Sequence, residues 1–279
     1  LANALGVGAI GLLLWPLAYT VWISFTPSEL LEPPRGELSL RWYRGFLGSP
    51  QWTAGLWNSL VVATLAAAGS LAGGAGLAVA VTRYHFRGRR LLSAAVLLPL
   101  FVPAVVLGMG LLPWVRFLGL FGSVWPLVAG HGLWGLPVVF LVVRSALDGL
   151  DPALEAAARG LGASPSLTFR RVTLPLILPA VLSGAAMGFV LSLNEFMIAL
   201  FLSTPATETL PRVIWPSLRY TLTPQVAAAS CVTVLLTLLG LAAAAALLRV
   251  EWLVRRLLRG GEHLSRPREP EGNPVRVQA

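Results

Sequence analysis

The sequence predicts an all-α polytopic membrane protein with six transmembrane helices, and three observations predict it. Of its 279 residues, 56% are hydrophobic and 12% charged, with a mean hydropathy of +0.75, whereas soluble domains carry about 25% charged residues. Several stretches run for about 18 residues or more without a charge, long enough for a helix to cross a bilayer core. The arginines gather beside the ends of these stretches. A net charge of +9 and a pI near 11.3 would suit a nucleic-acid binder. Arginines beside span ends set orientation in a membrane instead, so membrane lipid is the expected surrounding and no nucleic-acid partner is expected.

Span one is expected over residues 4–25, with Trp15, Trp22 and a candidate kink at Pro16. The polar loop 26–56 carries Trp42, Tyr43 and Trp52, residues suited to an interface. Span two, 56–81, opens with Trp57-Asn58-Ser59 and is rich in glycine (Gly69, Gly73, Gly74, Gly76). Gly69-x-x-x-Gly73 has the small-xxx-small spacing that allows close helix approach. After the arginine-rich loop 82–90, span three, 91–112, contains Pro99 and Pro103. Prolines are tolerated in a membrane helix where neighbours satisfy the freed carbonyls. Span four, 124–143, contains His131, and span five, 174–202, contains Asn194 and Glu195. Span six covers 225–248. A basic amphipathic stretch at 251–259 then reads as a flank resting on anionic lipid. Residues 1–259 therefore form one transmembrane domain, and 260–279 a polar tail expected to be disordered. The chain opens on Leu1 rather than Met, so its true start is expected to be missing or alternative; no cleavable signal is expected, because the first apolar run lacks a basic leader.

Short arginine-rich loops stay on the cytoplasmic side. One set of compartments holds fifteen arginines, from the loops 82–90 and 144–171 and from residue 249 onward, and the other holds six. Both ends are thus expected in the cytoplasm, together with the stretch 151–179, DPALEAAARGLGASPSLTFRRVTLPLILP. This stretch reads as a short alanine-rich helix, a break at Ala163-Ser164-Pro165, and a basic amphipathic run into Pro175. Such a polar element between two spans suits docking to a soluble partner.

Glu195 is the one carboxylate inside an expected span. It either lines a path with Asn194 and favours a cationic or amine-bearing solute, or it caps a neighbouring helix or pairs with an arginine such as Arg212. His131 reads either as a hydrogen-bonded packing residue or as a group on the path. The chain has no lysine and no GxxxxGK[ST] loop, so it does not bind ATP in that way. No nucleophile–base constellation, metal cluster or cofactor motif is visible, and the single Cys231 forms no intrachain disulfide.

The stretch 151–175 resembles the cytoplasmic loop of the membrane-spanning subunits of binding-protein-dependent ABC importers, whose pattern is EAA, three residues, Gly, nine residues, I-x-L-P. The match runs through Ala156-Ala157-Ala158, Gly162, Val172, Leu174 and Pro175, with Ala156 in place of the usual glutamate and Glu155 one residue earlier. Trp57-Asn58-Ser59, Pro99, Pro103, His131, Ser192-Leu193-Asn194-Glu195-Phe196, Leu210-Pro211 and Thr223-Pro224 extend the likeness. The later part is most similar to the second permease subunit of spermidine/putrescine-type systems. The resemblance implies the type I ABC importer permease fold, a multi-pass place in a bacterial or archaeal inner membrane, and no enzymatic activity in this chain. It also implies a second permease subunit, two cytoplasmic ATP-binding subunits that hydrolyse ATP, and an extracytoplasmic solute-binding protein. An ion-gradient-driven secondary transporter is the alternative, although it would need more intramembrane acids than Glu195.

Overall fold

A computed structural model describes residues 2–262, and every regular element among them is helical. In chain order these are α1 (Ala2–Ile23), α2 (Arg41–Gly48), α3 (Pro50–Arg83), α4 (Arg89–Leu97), α5 (Ala104–Phe117) and α6 (Trp125–Asp148). There follow α7 (Pro152–Gly160), α8 (Pro165–Thr168), α9 (Leu174–Leu193), α10 (Met197–Leu202), α11 (Leu210–Tyr220) and α12 (Pro224–Glu262). The helix α12 runs through the expected start of the polar tail. The rest of that tail, from residue 263, lies outside the described residues.

Four stretches are long and apolar enough to cross a membrane unaided: Pro50–Arg83, Trp125–Asp148, Pro165–Leu193 and Pro224–Ala246. The expected third span is not one helix. Arg89–Leu100 and Ala104–Phe117 meet at 103°, so they make a fifth span only as a broken pair. The prolines lie at the break and permit it. Pro99 sits in a 3₁₀ turn, Leu98–Leu100, and Pro103 is the residue before α5. A proline lacks the N–H that would continue the ladder. Leu98, before Pro99, keeps right-handed helical angles, and the chain leaves helical geometry at Pro103, whose ψ is 135°. Helix α1 is apolar over Gly11–Ile23, a stretch shorter than the four that can cross unaided, so the expected first span is met only by this shorter helix. Its Leu12, Leu13, Trp15 and Trp22 are exposed, as expected of side chains facing lipid rather than a core.

The core is built by α3, α6, α9 and α12. Ala78, Val81, Val139, Phe140, Val143, Ile177 and Ala180 are buried together where α3, α6 and α9 meet. Lipid tails are as apolar as leucine, so such helices are held by close van der Waals fit rather than by escape from water. The close backbone approach of α3 to α6 is one residue out of the expected register. Gly69 has nothing near its missing Cβ, whereas a Cβ on Gly74 would lie 2.9 Å from the Leu136 carbonyl and 3.0 Å from the Phe140 nitrogen. One turn earlier on the same face, the Ser70 hydroxyl donates to the Gly132 carbonyl at 2.9 Å. Ser70-x-x-x-Gly74, not Gly69-x-x-x-Gly73, is the working pair. Because backbone atoms cannot move aside, Gly74→Ala is expected to cost about 1–3 kcal/mol through overpacking. Gly69→Ala should be neutral. Thermal unfolding of both variants in detergent checks this.

At the end of the bundle away from the loop 151–175, two short helices lie in stretches expected to be loops. Trp42 and Phe46 of α2 and Leu210 and Val213 of α11 are buried, and Phe46, Leu210 and Val213 share a cluster with Trp52 and Ala229. Trp57-Asn58-Ser59 ties α3 to this end. Asn58 donates its amide to the carbonyls of Ala206 and Glu208 at 3.2 and 3.0 Å. Ser59 accepts from the Leu210 N–H at 2.7 Å, the first residue of α11.

Candidate functional site

The loop 151–175 is a helix, a turn and a second helix, as its sequence suggests. The side chain of Asp151 accepts from the Ala153 N–H at 2.8 Å and caps α7, and Pro152 follows at the first helical position. The Ser164 hydroxyl accepts from the Leu167 N–H at 3.3 Å and caps α8, with Pro165 next. Aspartate and serine are favoured as helix caps, and proline at the position that follows.

Gly162 ends α7. Its φ is +87°, a conformation that side-chain-bearing residues rarely adopt. Its N–H donates to the Arg159 carbonyl at 3.0 Å, and the Ala163 N–H reaches back to the Ala158 carbonyl at 3.1 Å. These two bonds form a Schellman motif with Gly162 at the position after the cap. The glycine therefore fixes the direction in which α8 leaves α7.

No residue of α7 is buried. Ala156, Ala157 and Gly162 are exposed, Ala158, Val172 and Leu174 are half-buried, and Pro175 is exposed. Leu161, at the tip, is 91% exposed. Glu155 behaves differently. Its Oε1 accepts from Arg83 Nε of α3 at 2.9 Å and from the Thr173 hydroxyl at 2.7 Å. Its side chain is only 12% exposed. This acid therefore tethers α7 to α3 and to the π-helical segment Phe169–Thr173, and the outer face of α7 presents alanines.

Hydrogen bonds to a charged group contribute roughly 1.5–3 kcal/mol each. Arg83→Gln is therefore expected to loosen the loop without unfolding the bundle. The exchanged pair Arg83→Glu with Glu155→Arg should recover part of the loss. Hydrogen exchange at the amides of α7 reads both effects.

The second candidate region is the break between α9 and α10. Span five was expected to be continuous to residue 202, but α9 stops at Leu193 and α10 begins at Met197. Glu195 lies in the break and is 6% exposed. Both its oxygens accept from the Ile198 N–H at 2.9 Å, and Oε2 also accepts from the Ala199 N–H at 3.2 Å. The carboxylate thus satisfies two N–H groups at the start of α10 that have no partner within the helix.

His131 of α6 stands beside it. Its Nε2 is 3.3 Å from Glu195 Oε2, at ion-pair distance but outside hydrogen-bond geometry, and its Nδ1 is 2.8 Å from the Ser192 hydroxyl. A proton on Nε2 facing the carboxylate leaves Nδ1 to accept from Ser192. Arg212, weighed from the sequence as a partner for Glu195, faces Glu208 at 3.7 Å instead. Asn194 is exposed, and its amide donates to the Val190 carbonyl at 2.9 Å and to the Thr237 hydroxyl of α12 at 3.0 Å. Among the described residues no group of three metal-ligating side chains occurs.

The fold is thus a bundle of apolar helices around broken spans, with a capped helix at one end. Residues 70–256 match the family described as the binding-protein-dependent transport system inner membrane component. The chain belongs to that family. It is a multi-pass permease subunit of an ABC importer with the type I permease fold.

The putrescine transport system permease protein PotI of Escherichia coli K12 is 34% identical over 220 residues, covering 76% of this chain and 77% of the relative. The spermidine/putrescine transport system permease protein PotC of Haemophilus influenzae is 31% identical over 200 residues, covering 72% and 78%. A probable molybdenum ABC transporter permease protein of Haloferax volcanii is 39% identical over a shorter 169 residues, 57% and 62% of the two chains.

Among solved structures, the bacterial alginate ABC transporter in complex with a pentasaccharide-bound periplasmic protein aligns with a TM-score of 0.65 at 17% identity, covering 88% of this chain and 91% of that one. The inward-facing MetNI methionine ABC transporter aligns at 0.62 and 18% identity, covering 71% and 95%. At such identities the likeness speaks for the fold. Neither the family nor the fold favours the ion-gradient-driven alternative.

Proposed function

We propose that this permease subunit imports a small amine-bearing solute of the polyamine class, delivered by an extracytoplasmic binding protein. ATP is hydrolysed on two separate cytoplasmic subunits that grip α7, and a second permease subunit completes the path. The observation that carries the docking reading is the loop 151–175. Its helix is capped at both ends, buries none of its own residues, and is tied to the bundle by Glu155, Arg83 and Thr173. A rigid lever fixed to a packed bundle transmits motion, which is what coupling demands. Both termini then lie in the cytoplasm, in line with the arginine distribution. The similarity to PotI and PotC supports the solute class.

In this reading Asn194, exposed at the break, faces the translocation path, and Glu195 with His131 holds the break in shape beside it. A path at a broken helix is physically apt, because irregular backbone at membrane depth is tolerated where it lines a cavity. An oxyanion is the second reading of the solute, favoured by the molybdenum-type relative.

The test is uptake into proteoliposomes that hold the chain with its co-purifying subunits, with binding protein outside and ATP inside. Radiolabelled putrescine and spermidine are expected to enter only with ATP, and an ionophore should not stop them. Molybdate uptake with no amine uptake would replace the solute class and leave the importer. ATP-independent uptake abolished by the ionophore would overturn the importer reading itself.

A further inference from the structure

Between α7–α8 and the end of α3 lies a cleft of about 660 Å³ that the docking reading leaves unused. Arg83 and Tyr84 line it from the α3 side, and Arg159, Ser166, Thr168 and Phe169 from the loop. Glu155 also borders it, but Oε1 of this carboxylate is engaged by Arg83 and Thr173. The charges of Arg83 and Glu155 cancel and that of Arg159 remains. Arg159 donates Nε to the Glu155 carbonyl within its own helix, at 3.2 Å. Its two terminal amino groups have no hydrogen-bond partner among the described residues. Thr168 is 5% exposed, and its Oγ1 is buried with no hydrogen-bond partner. A buried hydroxyl without a partner is costly and uncommon in a finished structure.

From these features we infer that the cleft binds a small organic phosphate. The free guanidinium face of Arg159 suits a phosphate's paired oxygens. The hydroxyls of Thr168, Ser166 and Tyr84 are donors for the others. Phe169 and Val79 offer an apolar wall for the organic part. Bound there, the ligand spans α3, α7 and α8 and holds the loop in one pose, so its concentration regulates the lever. The phosphate comes either from a soluble ester or from the headgroup of an anionic phospholipid at the bundle's end. This inference concerns binding and stands independently of the solute carried.

The experiment uses the full chain with its co-purifying subunits. In neutral detergent, glycerol 3-phosphate is expected to raise the unfolding temperature by a few degrees in a saturable way, and glycerol is not. Thr168→Val and Arg159→Gln should each abolish the rise. Because Thr168→Val removes an unsatisfied buried hydroxyl, the unliganded protein should be no less stable, which separates lost binding from misfolding. In the second arm, nanodiscs of phosphatidylcholine are compared with and without phosphatidylglycerol. A rise confined to this arm and lost in both variants supports the cleft with the lipid headgroup as source. No rise in either arm, or a rise that both variants retain, overturns the inference.

Discussion

Replacing Gly162 with valine is expected to cut solute uptake per ATP hydrolysed by about tenfold while the protein remains folded in the membrane. The effect originates in one backbone angle. At φ +87°, a β-branched residue pays about 1–2 kcal/mol of steric strain, and every 1.4 kcal/mol is a factor of ten in population. The Schellman turn then yields to turns that send α8 in another direction, and α7 meets its partner at the wrong angle. The bundle is spared, because nothing lies within 4 Å of a Cβ at this position. Gly162→Asn should retain coupling, since asparagine is the side chain best tolerated after a helix cap in this conformation. Gly160→Ala, in the last turn of α7 where φ is not positive, should be silent. Parallel measurement of ATP hydrolysis and uptake decides. Wild-type coupling in the valine variant would remove α7 as the lever.

This turn was legible in the sequence because each of its parts is a local signal. Asp151-Pro152 and Ser164-Pro165 start helices, and Gly162 ends one, whatever the tertiary surroundings. The departures have a different origin. Pro99 and Pro103 are compatible with a continuous membrane helix or with a break, and only the packing of α5 against α10 and α6 selects the 103° bend. The glycine register failed for a similar reason. Composition marks α3 as able to approach a neighbour, but the face that does so is chosen by α6, and it holds Ser70 and Gly74. The helices α2 and α11 were read as loop because each is short and only one side of it is apolar. The break at Asn194 to Phe196 has neither proline nor glycine to mark it. Its one signal was Glu195 itself, a carboxylate placed where the next backbone N–H groups need an acceptor.

That role of Glu195 leads to the second large effect. Glu195→Ala leaves the N–H groups of Ile198 and Ala199 without their acceptor and removes the charge facing His131, at a site 6% exposed. Removing one partner of a buried pair typically costs about 3–5 kcal/mol, so a marked fall in unfolding temperature and in folded yield is expected. Glu195→Gln keeps one acceptor oxygen for the Ile198 N–H but turns an NH₂ group toward the other donors or toward His131, and should fall between. Asn194→Ala loses only an exposed bond to Thr237 and one to the Val190 carbonyl. Its unfolding temperature should stay near wild type while the KM for the amine solute rises. The pair separates two roles that the sequence alone could not. A Glu195→Gln variant with unchanged unfolding temperature and a raised KM for a cationic solute would mean that the carboxylate itself meets the solute. A stability loss at Glu195 with a KM change at Asn194 means that the acid builds the break and the amide beside it reads what passes.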